Sequence, residues 1–369
     1  MTSSGKPVGI APPPPGQEAN FIDPQTRQES NIALHTVMLF FVTLSVGIRI
    51  YTRRFITHAL GIDDLLCIIA YCLLLTYCSL LLACGQYYLG HHLWDIKFSD
   101  FIHGSKLEVW TEWVYLPLSA FTKLSCLLFY RRIFVPSGLM TGIIWSGVFF
   151  ITVIYTVLLT MSVLNCQPIR KRWNPSVHGV CLPDGTLAYS SGAFNVLSDI
   201  FVLLLPLPAV WRLNMSVSKR AKILAVFGLG LIVVVMSITR LAKTPLAFKS
   251  TDSSWELSEF AIYAILEMDI ALICACLLAF PAFIDRYGPH LVAKMKSYTS
   301  LGRWTTQEAS TIKLEDHLNA KRETSLGSSD RYRNLSEGAD VVTHNTDTSA
   351  DRPSYSSGYR AATVNHSVV

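Results

Sequence analysis

An all-α bundle of seven membrane-spanning helices is the fold class this sequence predicts, and three observations carry it. Over 369 residues the composition is 51% hydrophobic and only 15% charged, where a soluble domain carries about 25% charged residues. Seven stretches are apolar over enough length to cross about 30 Å of hydrocarbon as helices. Arginine and lysine gather in alternate connections, the bias that orients a multi-pass chain. The formal net charge of +5 comes without a basic block interleaved with aromatics, so the expected partner is the lipid bilayer and not nucleic acid.

Residues 1–30 open on a Pro/Gly/Ser-rich run that includes Pro12 to Pro15. With no basic region leading into a short apolar core, they read as a disordered extracellular tail and not a cleavable signal peptide. The membrane domain is expected over 31–287. Its first span, 32–50, is flanked by Arg49, Arg53 and Arg54, whereas Arg27 ahead of it is offset by Asp23 and Glu29. This asymmetry places the N-terminus outside, and the plasma membrane is the expected location. Further spans are expected at 65–83, 107–130, 142–164, 187–211, 223–241 and 260–283, which leaves the C-terminus inside.

The third span stops on Arg131 and Arg132, and the third inner connection carries Arg212, Lys219, Arg220 and Lys222. Arg170, Lys171 and Arg172, in an outer connection, run against the trend. The sequon Asn214-Met215-Ser216 falls on the inner side, where it stays unglycosylated. Pro117, Pro206, Pro208 and Pro281 each remove a helix hydrogen bond and allow a kink. Over 288–369 Ser, Thr, Asp, Arg and Asn dominate, a cytoplasmic tail unable to bury enough apolar area to fold.

Most of the nine cysteines lie in spans, as small buried hydrophobes. Cys166 and Cys181 instead bracket an outer loop in a compartment that permits disulfides. Closing a loop of about fifteen residues stabilises by ~3 kcal/mol in the chain-entropy model. Cys84, at the outer end of the second span, is the competing partner.

Charges inside spans each cost about 3 kcal/mol on insertion scales unless paired or hydrated, and so mark ligand-binding or switching candidates. Lys123 lies two turns above the inner edge of the third span, at a level that Asp63 and Asp64 approach. Glu108 and Glu112, four apart, share a face of the same span, and Asn195 and Asp199 do so in the fifth. Arg240 is near the level of Glu108, Glu112 and Glu259. Glu267 and Asp269 stand roughly 200° apart around the seventh helix and face different neighbours. Glu267 with Asp199 is the expected interior polar centre, biased by Lys123 or Arg240. Arg131, Arg132, Arg212, Lys219 and Arg220 are the candidates for contacting a cytoplasmic transducer.

As a set, several motifs carry a family likeness: GIDDLL, GHHLWD, TKLSCLLFYRRIF, CQPIRKRW followed by GVC, NVLSDIFVLLLPLPAVWRL, FGLG, and the Glu267 segment running to Phe280-Pro281. The chain resembles the fungal rhodopsin-domain integral membrane proteins, which include G-protein-coupled receptors of filamentous fungi related to plant-pathogen appressorium receptors. The resemblance implies a seven-helix receptor with an unknown ligand and a heterotrimeric G protein or other transducer as partner. It implies no pigment: retinal needs a Schiff-base lysine in the last helix, and 260–283 contains none, so no cofactor is expected.

A small-molecule or ion transporter is the rival reading, since carriers also use interior charges. His91, His92, Asp95, Asp100 and His103 crowd one outer loop, yet show no metalloenzyme spacing. Neither a metal nor enzymatic activity is expected.

Overall fold

The computed structural model describes residues 9–133, 138–183, 185–208, 217–287 and 321, with the backbone alone at 133 and 217–225. Among the described residues, seven helices are long and apolar enough to cross a membrane: α1 (Gln28–Tyr51), α2 (Ile62–Tyr87), α3 (Phe98–Ile133), α4 (Gly138–Val163), α5 (Thr186–Leu204), α6 (Val217–Lys249) and α7 (Ser253–Leu277). Their outward faces carry Phe40, Phe41, Phe149, Phe150, Val235 and Ile238, while Arg49, Lys123, Asn195, Arg240 and Glu267 are buried. Apolar outside and charged inside is the arrangement a hydrocarbon solvent selects. The chain is a multi-pass membrane protein.

Helix α3 is the central element. It packs on α2, α4, α5 and α7, and 61% of its most apolar window is buried, more than in any other span. Against α2 the approach is close: a Cβ on Gly104 would stand 2.1 Å from Cβ of Tyr88, so the pair meets there only because residue 104 has no side chain. At 36 residues, α3 measures about 54 Å and outreaches the hydrocarbon. Asp100 and His103 therefore ride on its first turns and not in a loop.

Proline accounts for where two of the other helices stop. Helix α5 stops at Leu204, with Pro206 and Pro208 just beyond, and the expected end at 211 lies outside the described residues. Helix α7 begins at Ser253, ahead of the expected 260, and stops at Leu277, the residue whose carbonyl Pro281 has no N–H to bond. A turn at 278–279 then leads into a helical run over 280–287. Helix α6 tolerates Pro245 within its last turns. After α1 the chain makes one π-helical turn, Thr52–Ile56.

At the end of the bundle holding the N-terminus, β1 (Cys166–Gln167) and β2 (Val180–Cys181) pair antiparallel with Cys166 opposite Cys181. The two cysteines form a disulfide. The competing partner Cys84 is buried elsewhere, its thiol donating to the Gly104 carbonyl at 3.5 Å. Non-reducing peptide mapping is expected to recover Cys166 linked to Cys181, with Cys84 alkylated only after unfolding. A Cys84-linked peptide would contradict this pairing.

Of the tail read as disordered, residues 1–8 lie outside the described residues. Beyond them, Ile10 N donates to the Leu93 carbonyl at 3.2 Å, Asn20 N donates to Asp95 Oδ1 at 2.7 Å, and Thr26 bridges His91. The expected tail over 288–369 lies outside the described residues except Lys321.

Candidate functional site

Two charged centres sit inside the bundle. The first, at mid-depth, grows from α5, where Asn195 and Asp199, one turn apart, face inward. Lys123 of α3 lies 3.0 Å from Asp199 Oδ1 and donates to Asn195 Oδ1 at 2.7 Å, Ser198 Oγ at 2.6 Å and Tyr155 Oη at 2.9 Å. Arg240 of α6 donates through Nε to Glu267 Oε2 at 2.9 Å and through Nη2 to Tyr115 Oη at 2.6 Å. Tyr115 in turn donates to Glu267 Oε1 at 3.1 Å.

Asn195 joins the two ion pairs. Its Nδ2 donates to Asp199 Oδ2 at 3.0 Å and to Glu267 Oε1 at 2.7 Å. A lysine on Oδ1 and carboxylates on Nδ2 fix which way the amide points. Ser237 of α6 adds a hydrogen bond to Asp199 Oδ2 at 2.5 Å, and Ser119 of α3 donates to Asn195 Oδ1 at 2.9 Å. The centre thus balances two cations against two carboxylates and ties together α3, α4, α5, α6 and α7. The expected grouping of Glu267 and Asp199 with Lys123 and Arg240 is present, while the level-based alternatives are not: Lys123 meets Asp199 and not Asp63 or Asp64, and Arg240 meets Glu267 and not Glu108, Glu112 or Glu259.

The second centre lies at the opposite end of the bundle from the disulfide. Arg49, 0% exposed, donates to Asp64 Oδ1 at 2.9 Å, Asp63 Oδ2 at 3.0 Å and the Ala275 carbonyl at 2.7 Å. Arg53, one turn on, reaches Asp63 at 2.8 Å, and Arg132 reaches Asp63 from α3 at 3.2 Å. The guanidinium groups of Arg49 and Arg53 lie over the Phe129 ring, each 5.0 Å from its centroid. Asp64 is also N3 of α2 and accepts the Gly61 N–H at 3.2 Å, a capping contact that fixes its rotamer.

The other sequence candidates lie apart. Glu112 accepts from Ser162 at 2.8 Å and pairs with Arg172 of the disulfide loop. Glu108 is half-buried one turn earlier. Glu259 holds Arg27 and Lys243. Asp269, 1% exposed, turns away from Glu267 and has Oδ1 without a hydrogen-bond partner. Arg131 stacks on Trp145 at 5.1 Å. Arg212 and the sequon lie outside the described residues, and only the backbone is described at Lys219 and Arg220.

The loop histidines are separated too. His91 is on the Gly85 carbonyl, and His92 is held by Asp252 between the rings of Trp94 and Trp255. Among the described residues, no three His, Cys, Asp or Glu side chains are placed to hold a metal ion.

Sequence reasoning misses the interior role of Arg49, which looks like one more charge flanking a span. The available signal is the pair Arg49 and Arg53 at i, i+4, shortly followed by adjacent aspartates. It also misses Tyr115, Tyr155 and Ser237, because single hydroxyls in an apolar helix are ordinary.

Comparison with known proteins places the chain among fungal membrane proteins. It is 26% identical over 287 residues to the fugralins biosynthesis cluster protein 2 of Gibberella zeae, covering 75% of this chain and 70% of that one. It is 28% identical over 216 residues to a SAT4 family membrane protein of Emericella nidulans, covering 58% of this chain and 54% of the relative, so it spans about half of that protein. Receptor GIN3 of Arthrobotrys oligospora is 23% identical, over 72% of this chain and 65% of that one. No solved structure matches. With seven apolar helices in the bundle and the model of the fungal rhodopsin domain matching residues 48–286, the chain belongs to the fungal rhodopsin domain family.

Proposed function

We propose that this protein is a plasma-membrane receptor, N-terminus outside, that senses an extracellular or membrane-partitioned ligand and signals to a cytoplasmic transducer such as a heterotrimeric G protein. The observation that supports this most is that the two charged centres share two helices, α3 and α7. Helix α3 supplies Lys123 and Tyr115 to one centre and Arg132 to the other, and α7 supplies Glu267 and the Ala275 carbonyl. A ligand that changes which partner Glu267 prefers therefore shifts helices that also carry the arginine-rich end. That end, with Arg131 and Arg132, is the proposed transducer surface, and Arg212, Lys219 and Arg220 join the proposal by their place in the sequence alone. A relative named as a receptor agrees with this reading.

Glu267→Gln keeps the shape of the side chain and removes its charge. It is expected to leave the protein folded and at the surface while changing basal or ligand-evoked second-messenger output several-fold. Unchanged output at normal surface expression would reduce the centre to packing. Net solute uptake into proteoliposomes would favour a carrier instead.

The arginine end has its own test. Arg132→Lys keeps the charge, so insertion should be normal, but a lysine lacks the planar fork that reaches Asp63. Weakened coupling at unchanged surface expression is the expected result, and wild-type coupling would leave Arg132 an orienting charge only.

A further inference from the structure

Between α1, α2 and α7, at the disulfide end of the bundle, lies a partly open cleft whose inner end has room for about one water-sized group. That is the size of a hydroxyl, so the cleft suits the head of a ligand and not its body. Its wall is largely apolar, with Leu81, Leu82, Leu89, Ala261 and Ile262.

Two polar side chains of α1 line the same cleft: Asn31, 9% exposed, and His35, 6% exposed. Standing four apart, they share one helix face. Asn31 Oδ1 and His35 Nε2 are both buried without a hydrogen-bond partner. His35 Nδ1 lies 2.5 Å from the Asn31 carbonyl oxygen. A carbonyl only accepts, so Nδ1 carries the hydrogen, and in the neutral ring Nε2 presents a lone pair. The cleft therefore offers two buried acceptors and awaits a donor.

The end of the cleft is roofed. Arg27 N donates to the Gly90 carbonyl at 3.3 Å, Gly90 N donates to the Ser254 carbonyl at 3.2 Å, and Ser254 Oγ donates to the His91 carbonyl. Gly90 adopts φ +85°, and a Cβ there would stand 3.5 Å from Ser258 and 3.6 Å from Arg27. With the segment before α1 laid over the loop after α2, the approach that remains is sideways, between helices, from the hydrocarbon.

We propose that this cleft binds the head of a membrane-partitioned alcohol, its hydroxyl donating to His35 Nε2 beside Asn31 Oδ1 and its apolar body lying along Leu81, Leu82 and Ile262. A carboxylate head would set negative oxygens against these two lone pairs, which an alcohol avoids. The site is separate from both charged centres, and binding there does not depend on signalling. A single water is the competing occupant, since it too could donate to both acceptors.

The test is photolabelling of the full chain in nanodiscs with a diazirine-bearing tetradecanol. Labelling should be saturable, map to 28–35, 81–89 or 258–262, and be competed at least ten-fold better by tetradecanol than by its methyl ether, which keeps the chain and the oxygen but has no hydrogen to donate. Gly85→Val fills the cleft at a position where a Cβ meets only Gln28 Cγ at 3.8 Å, and should abolish the labelling. His35→Leu, which removes the acceptor and keeps an apolar side chain, should lower it at least five-fold and covers the case in which the valine variant fails to fold. Labelling that does not saturate, that maps elsewhere, that survives His35→Leu, or that the ether competes equally well would overturn the proposal and leave the cleft to water.

Discussion

Arg49→Met is expected to cost about 3–5 kcal/mol of stability, the range for breaking a buried ion pair from one side. Methionine matches the length and flexibility of the stem, so packing is largely kept. What is lost is the charge that Asp63 and Asp64, 4% and 1% exposed, accept from inside the bundle. Arg53 and Arg132 remain, but Arg132 reaches only Asp63 and from a side chain one-third exposed. Thermal unfolding and the yield of monodisperse protein in detergent would read the loss. Adding Asp63→Asn and Asp64→Asn should restore most of it, because the uncompensated carboxylates are then gone. A single variant as stable as the parent would show that this centre does not hold α1, α2, α3 and α7 together.

The second large effect is expected at Asn195. Asn195→Leu takes one hydrogen-bond partner each from Lys123, Asp199 and Glu267. Since hydrogen bonds to charged groups contribute about 1.5–3 kcal/mol each, a loss of at least about 4 kcal/mol is expected. The more specific consequence is energetic separation of the two ion pairs. With Asn195 in place, Asp199→Asn and Glu267→Gln should be non-additive by about 0.5–3 kcal/mol, as neighbours in one network are. With leucine at 195 the same two substitutions should add to within about 0.5 kcal/mol. Coupling that persists would mean the carboxylates interact directly and the amide is incidental.

These expectations also mark where the sequence is legible. The seven helices can be read from it because about twenty consecutive apolar residues match the thickness of the hydrocarbon and would be too greasy for a soluble surface. The ends are less legible where proline and an amphipathic extension compete: α5 stops short of Pro206, and α3 runs on past the hydrocarbon through Asp100 and His103.

For the interior, spacing along a helix gives depth but not the azimuth at which neighbouring helices meet. Lys123 is thus level with more carboxylates than it can touch, and only packing selects Asp199. Arg49 is hidden for another reason. A cation at the end of a span usually lies among headgroups, and the π-helical turn Thr52–Ile56 that carries Arg53 in beside it leaves no mark in composition.

The even count of charges in the Lys123, Asp199, Arg240 and Glu267 centre has an electrical meaning. With Lys123, Asp199, Arg240 and Glu267 all ionised, an exchange of partners turns dipoles but carries no net charge across the bilayer. A full elementary charge crossing the membrane exchanges about 2.3 kcal/mol per 100 mV, enough for a cell's resting voltage to hold a switch in one position. A neutral quartet avoids that coupling. Depolarising the cell would then leave its pairing where it was, and only chemistry at the site would move it.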